Sequence, residues 1–337
     1  MADSALDHIL AELRIVAAHE YPQHGELKNL RIVGHTPRSD HFIYDICADF
    51  AGGLERLAIK IYRPNRCGGN AKAVAESENS NLQYIHHLCA KKRLDGLPRA
   101  LGDFSEQGAV VTGKITGLPL QSIIMKAALL PGLADNGSIE LVSRRTGEWL
   151  RSFHKSSCDM PEPFDTDSLI TGLESLCESC RDEGLDEASI EVIMGGARSV
   201  LTRAKKTLPS SAVLTEFTPL NIIVTEDGVG FCEFARMKRR GNSFEDVAMF
   251  LASVEALEKY PFCNRGITGL MQDTFVEAYG INQQEAGILR VLKMKALLGM
   301  FAQGRTVKET AMRKKVMWAT VMKKFIRQAA QRSLAAA

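Results

Sequence analysis

The stretch "VLTEFTPLNIIVTEDGVGFCEF", residues 213–234, decides the reading of this chain. It holds an acid, Glu216, an asparagine five residues later, Asn221, a short β-hairpin and a second acid, Glu233. Three oxygen-bearing side chains carried on so tight a hairpin suit a metal–phosphate site. Both acids are glutamates, one methylene longer than the aspartates such a site is expected to use.

The rest of the sequence sets the frame. With 337 residues and 37.1 kDa, the chain is long enough for two lobes with substantial cores. Its N-terminus, "MADSALDHILAELRIVAAHE", reads as an amphipathic helix with Leu6, Ile9, Leu10, Leu13 and Val16 on one side. It lacks the basic start and continuous apolar run of a signal peptide. No apolar stretch approaches a membrane span. Eight scattered cysteines favour a reducing cytoplasm over a disulfide framework. The net charge of +2 hides an asymmetry: residues 286–337 hold twelve Lys and Arg against one acid, Glu309.

Outward from the hairpin, "LRIVG", "HFIYDICADF" and "RLAIKIYR" read as three strands, the last two joined by the glycine turn of "AGGLE". A helix, "AKAVAESENSNLQYIHHLCAKK", follows, and then "RALGDF" with "GAVVTGKIT" as a further hairpin. The expectation is a five-stranded antiparallel sheet with one helix. After Leu120 the pattern turns helical: 120–130, "SIELVSRRTGEWLRSFHK", two helices between 165 and 208, and more from about 243. A β-rich lobe would meet an α-rich lobe near Gly117, the kind of junction that holds a ligand cleft.

Phosphoryl transfer needs a cation for the nucleotide phosphates, ligands for Mg²⁺ and a carboxylate to orient the attacking hydroxyl. Lys60 can supply the first. It is the single charge among Leu57, Ile59 and Ile61 of an apolar strand, and it lies on the opposite face. A buried ammonium needs a partner. Glu78 on the next helix is the expected one, with Glu76 as the alternative. The competing view places Lys60 on a solvated sheet face.

In the order of these elements the chain resembles the aminoglycoside phosphotransferase and choline-kinase-like branch of the protein-kinase-like fold. "LAIKIYR" is similar to its nucleotide-lysine strand, "AVVTGKITGLPL" to its hinge and "TGEWLRSFH" to its L-x-x-L-H helix. "FTPLNIIV" is similar to its catalytic loop, and "CEFARMKRRGNSFEDVAMF" to its metal-binding acid and the aspartate of the next helix. Each motif is weak alone; their order from about Leu30 to Gly280 carries the resemblance. It implies an α+β, two-lobed protein-kinase-like fold, with an N-lobe at 1–117 and a helical C-lobe at 118–337. It further implies that Lys60 holds nucleotide phosphates and Glu78 orients it. Asn221 and Glu233 would hold Mg²⁺, and Glu216 would stand at the catalytic-base position. Asp246 would brace the catalytic loop and His154 would serve packing.

The departures count too. Leu214-Thr215-Glu216 stands where the family has H-G-D, and Glu233 where it has aspartate. Each glutamate moves its carboxylate outward by about 1.5 Å, and a misplacement of about 1 Å can cost on the order of a hundredfold in rate. Either the backbone has retreated to match, or the chain is a catalytically silent relative that binds nucleotide as a regulator or scaffold. The nucleotide-covering loop would be "GHTPRSDHF", poor in glycine, with Arg38 or His41 adding charge.

Three other features of the sequence carry their own readings. "GAVVTGKI" matches part of a P-loop, but "AVVT" is strand-forming and Ile115 replaces the metal-binding hydroxyl. Cys177 and Cys180, at helical spacing among Ile170, Leu173 and Leu176, read as core. The basic tail repeats Met312, Val316, Ala319, Met322 and Ile326 at helical spacing. Packing on the α-lobe is the preferred reading; peripheral contact with an anionic membrane, at about 1 kcal/mol per basic residue, is the alternative. Sparse aromatics and the lack of a recognition motif argue against nucleic acid. The sequence thus points to a cytoplasmic phosphotransferase using ATP or GTP with Mg²⁺ on a hydroxyl of a small molecule or glycan.

Overall fold

Strand alternation sorts the N-terminal part of the molecule into two faces. In the computed structural model, β1 (Leu27–Pro37), β2 (His41–Phe50), β3 (Gly53–Tyr62) and β4 (Ala109–Gly113) form one antiparallel sheet in that order. The structure describes residues 2–89, 94–129, 135–158, 161–182, 184–204, 207–260, 262–306 and 318–334. Leu57, Ile59 and Ile61 of β3 bury against Ile46, Ala48 and Phe50 of β2 and Val111 of β4. The helix α1 (Ala2–Glu20) closes this core with Leu6, Ile9, Leu13 and Ala17, while Leu10 and Val16 pack at its margin. Each Leu, Ile, Val or Phe among them contributes roughly 1.5–3 kcal/mol by leaving water. Lys60 projects from the other face of β3, toward α2 (Ala71–Cys89).

The expected fifth strand is not formed. Around "RALGDF" the ladder shrinks to a single bridge, Ala100 to Thr112, flanked by bonds from Leu101 N–H to Val111 and from Gly113 N–H to Arg99. Gly102, at φ +68°, turns the chain away, and Asp103 caps the short helical turn at Ser105. "GAVVTGKI" is strand β4, as its β-branched residues dictate.

The chain forms two compact units: Met1–Leu118 with Asn221–Arg239, and Pro119–Leu220 with Arg240–Ala337. The hairpin of strands Ile222–Val224 and Val229–Phe231 therefore packs with the N-terminal sheet, although the helical part of the sequence surrounds it. Gly96 explains how. Its φ is +80°, and a Cβ there would lie 2.2 Å from the Val229 carbonyl oxygen, so only glycine allows its own carbonyl to accept the Phe231 N–H at 3.0 Å.

The second unit is helical: α3 (Leu120–Leu129), α4 (Asn136–Ser157), α5 (Thr166–Asp182), α6 (Glu187–Thr202), α7 (Phe244–Glu255), α8 (Arg265–Tyr279), α9 (Gln283–Thr306) and α10 (Lys323–Leu334). An aromatic column runs through it, from Trp149 over Phe217 to Phe250 and Phe275. Cys177 and Cys180 are buried in α5, and burial pushes the Cys177 thiol up to about 11, which leaves it an inert core residue.

α10 buries Met322's neighbours Phe325 and Ile326, with Ala329 and Ala330, against α6 and α9. Met312 and Val316 lie outside the described residues, as does the side chain of Ala319. The described apolar stripe of the tail is thus buried in the protein's own core. No described helix is long and apolar enough to cross one.

Candidate functional site

Lys60 enters a buried electrostatic knot. Its ammonium donates to Glu78 Oε1 at 2.6 Å, to Glu233 Oε2 at 3.1 Å and to the Cys232 carbonyl at 3.3 Å. The lysine and Glu233 are 9% exposed and Glu78 2%. Burial alone would lower the lysine pKa, but the facing carboxylates of Glu233 and Glu78 outweigh it and raise the value. Glu76, two residues away, is exposed and pairs with Lys72 instead, because positions two apart on a helix face away from each other.

Tyr62 completes the grip on Glu78. Its hydroxyl donates to Oε2 at 2.6 Å, so each carboxylate oxygen has a donor. Burial first, and Glu78 second, raise the phenol pKa, which keeps the proton in place for donation. Sequence reasoning missed this residue. The signal was there: Tyr62 lies two positions after Lys60 and so shares its face.

α2 also straps the segment that carries Glu233. Glu78 Oε1 accepts the Phe234 N–H at 3.2 Å, Asn81 donates to the carbonyls of Phe234 and Met237, and Ser77 donates to that of Ala235. These bonds span more than 150 residues of sequence, and no local pattern announces them.

Asn221 lies at the open end of the hairpin. One rung beyond the Phe231–Ile222 pair, its carbonyl accepts the Cys232 N–H at 3.2 Å. Asn221 and Glu233 thus flank one β-rung, and Cys232 between them also bonds Lys60. The Cys232 thiol is pushed up to about 11, chiefly by burial, with Lys60 and Arg38 pulling the other way.

Arg38 sits in a tighter turn than the sequence suggested. β1 continues to Pro37 and β2 begins at His41, so the expected loop "GHTPRSDHF" reduces to Arg38–Asp40. The Arg38 N–H bonds the His41 carbonyl at 2.9 Å, and Arg63 donates to the Arg38 carbonyl. Asp40 accepts from His41 Nδ1 at 2.9 Å, which holds its carboxyl down to about 2.

Glu216 belongs to the other unit, on a loop built by different forces. Asp246, at the start of α7 and 0% exposed, accepts the N–H groups of Leu214 and Thr215, each at 2.8 Å. His154 donates to Asp246 from Nε2 at 3.0 Å and receives the Tyr279 hydroxyl on Nδ1 at 2.9 Å. Asp246 braces the loop and His154 braces Asp246. Between them Thr215 is held at φ +62°, with the Glu216 N–H bonded to the Leu214 carbonyl at 2.8 Å. That is a γ-turn of the strained hand, unusual for a β-branched residue. Phe217, buried on Trp149, anchors the next position.

The structure thus gathers Lys60, Glu78, Glu233, Asn221 and Arg38 in one unit and sets Glu216 on the braced loop of the other, five positions before Asn221. Asn221, on the last rung of the hairpin, and Glu233, one position beyond it, carry oxygen donors of the type that Mg²⁺ accepts. Among the described residues no group of three or more His, Cys, Asp or Glu could hold a metal unaided.

No family model and no curated protein matches the chain. Solved structures do. Aminoglycoside phosphotransferase APH(4)-Ia aligns with a TM-score of 0.56 at 12% identity, over 93% of this chain and 98% of that one. A choline/ethanolamine kinase family protein from Mesorhizobium loti gives 0.51 at 15% identity, over 96% and 99%. Plasmodium vivax ethanolamine kinase gives 0.53 at 10% identity, over 93% and 86%. The chain has the protein-kinase-like fold of the aminoglycoside phosphotransferases and the choline and ethanolamine kinases.

Proposed function

We propose that the chain is a phosphotransferase that uses ATP or GTP with Mg²⁺ to phosphorylate a hydroxyl of a small molecule or glycan. The observation that carries this reading is Lys60, held between Glu78 and Glu233 beside the rung of Asn221. A lysine fixed in this way presents its charge to phosphate without first paying to be ordered. Glu78 and Tyr62 hold Lys60 in place, and Arg38 adds a second positive charge near Cys232. Asn221 and Glu233 would hold Mg²⁺, which when bound neutralises the charge on the phosphate oxygens. Glu216 would accept the proton of the acceptor hydroxyl. A fold neighbour solved as a ternary complex with AMP-PNP and hygromycin B supports the nucleotide and the small-molecule acceptor. Eight cysteines, with no disulfide among them, suit the reducing cytoplasm proposed for it.

A second reading, a silent relative that binds nucleotide as a regulator or scaffold, draws on one observation. Leu214-Thr215-Glu216 replaces H-G-D, and the loop holds Thr215 in a strained conformation. Titration of Mg·ATP and Mg·GTP, followed by turnover on a panel of alcohol acceptors, separates the two. Binding lost in Lys60→Ala and Glu233→Ala, with turnover lost in Glu216→Ala, supports the enzyme. Tight binding without turnover favours the silent relative, and no binding by the wild type rejects both.

A further inference from the structure

The second unit contains a polar cavity that includes none of Lys60, Glu78, Glu216, Asn221 or Glu233. Its volume is about 210 Å³, below the roughly 300–1,000 Å³ of pockets for drug-sized ligands. It lies at the root of the α5–α6 excursion, between the segment before α5, the residues just after Thr207 and the start of α7.

Its wall holds groups that the fold leaves unsatisfied. Ser210 is 2% exposed and its hydroxyl has no hydrogen-bond partner; the same holds for the Asn242 Nδ2, whose Oδ1 is engaged in capping Phe244. Lys295 of α9 lines the cavity and forms no ion pair among the described residues. Buried donors without acceptors are rare in native proteins, since each forfeits a hydrogen bond it would make in water. The Asn242 Nδ2 can only donate, the Ser210 hydroxyl can donate or accept, and the partly exposed Lys295 adds a cationic donor. Carboxylates also line the wall and are already engaged: Glu162 pairs with Arg240 at 2.5 Å, and Asp165 caps α5 through the Ser168 N–H.

These facts select the ligand by its chemistry. A cation would face Lys295, and an anion would face Asp165 and Glu245. A neutral molecule rich in hydroxyls meets both sides, because each hydroxyl accepts from Lys295, Asn242 or Ser210 and donates to a carboxylate. Phe164, Leu208 and Leu292 supply apolar wall for its C–H faces. We propose that this cavity binds one neutral polyol of monosaccharide size, and that Ser210, Asn242 and Lys295 are its recognition groups. The proposal stands apart from phosphotransfer, since it needs neither nucleotide nor Lys60.

The test is calorimetric titration of the full chain, without nucleotide, using D-glucose as probe and choline chloride and sodium gluconate as cationic and anionic comparators. Glucose should bind saturably and more tightly than either comparator. Ser210→Ala, Asn242→Asp (which keeps the helix cap but removes the donor) and Lys295→Met should each weaken binding by about tenfold. Lys60→Ala should leave it unchanged, which separates this site from the nucleotide site. Loss in Lys60→Ala, no saturable glucose binding, preference for choline or gluconate, or wild-type affinity in all three variants overturns the proposal. So does a crystal soaked in glucose that shows ordered water only on Ser210 and Asn242.

Discussion

The Tyr62 hydroxyl and the Glu78 carboxylate meet at 2.6 Å, on the oxygen that Lys60 does not use. Tyr62 therefore positions Lys60 at one remove. Tyr62→Phe removes the donor and leaves Glu78 Oε2 buried and unmatched. We expect a loss of about 1–3 kcal/mol in a urea melt, together with weaker Mg·ATP binding. Unchanged binding and stability would show that Glu78 needs no second donor.

Lys60 itself links the site to alkaline stability. Its pKa is raised in the folded chain, so its contribution is complete below the ordinary lysine value of about 10.5 and fades only as pH climbs above it. Lys60→Met leaves two buried carboxylates facing each other and should cost about 3–5 kcal/mol at pH 7. The gap between wild type and variant should stay constant from pH 7 to about 10 and narrow beyond it. Urea melts across that range check this; a gap that widens with pH would contradict it.

Asp40 sets an acid limit on the turn between β1 and β2. His41 holds its pKa down to about 2 from 3.8, so its contribution is present above 3.8 and is lost as pH falls toward 2. The carboxylate is about one-third exposed, which trims the effect to about 1–2 kcal/mol. Asp40→Asn should therefore lie below wild type at pH 6 and converge with it near pH 2. Equal stability at pH 6 would show that the pair contributes nothing.

Thr215 stores strain beside Glu216. Thr215→Asn places a residue that tolerates positive φ at the same turn. It should raise stability by about 1 kcal/mol, within the roughly 1–3 kcal/mol such conformations cost. A loss instead would mean that a contact of the threonine side chain outweighs the backbone strain. If turnover also falls, the strained turn serves the position of Glu216.

Much of this site could be read from one line of residues. Alternation in "RLAIKIYR" put Lys60 opposite the apolar face, and the hairpin placed Asn221 and Glu233 on neighbouring positions, because strand geometry is local. The helix periodicity of α1 and α5 announced which of their faces are buried, including Cys177 and Cys180. The fifth strand failed because Gly102 turned the backbone, which a short apolar run does not reveal. The covering loop shrank because Pro37 could end an edge strand as well as stiffen a loop.

Tertiary structure alone chose Glu78 over Glu76, brought Ser77 and Asn81 onto the backbone that carries Glu233, and set Thr215 at a positive φ through two bonds to Asp246. Periodicity fixes which face of an element a side chain occupies. Which faces then meet is settled by packing between segments that lie from 18 to 158 residues apart, and that information is not local to any stretch of sequence.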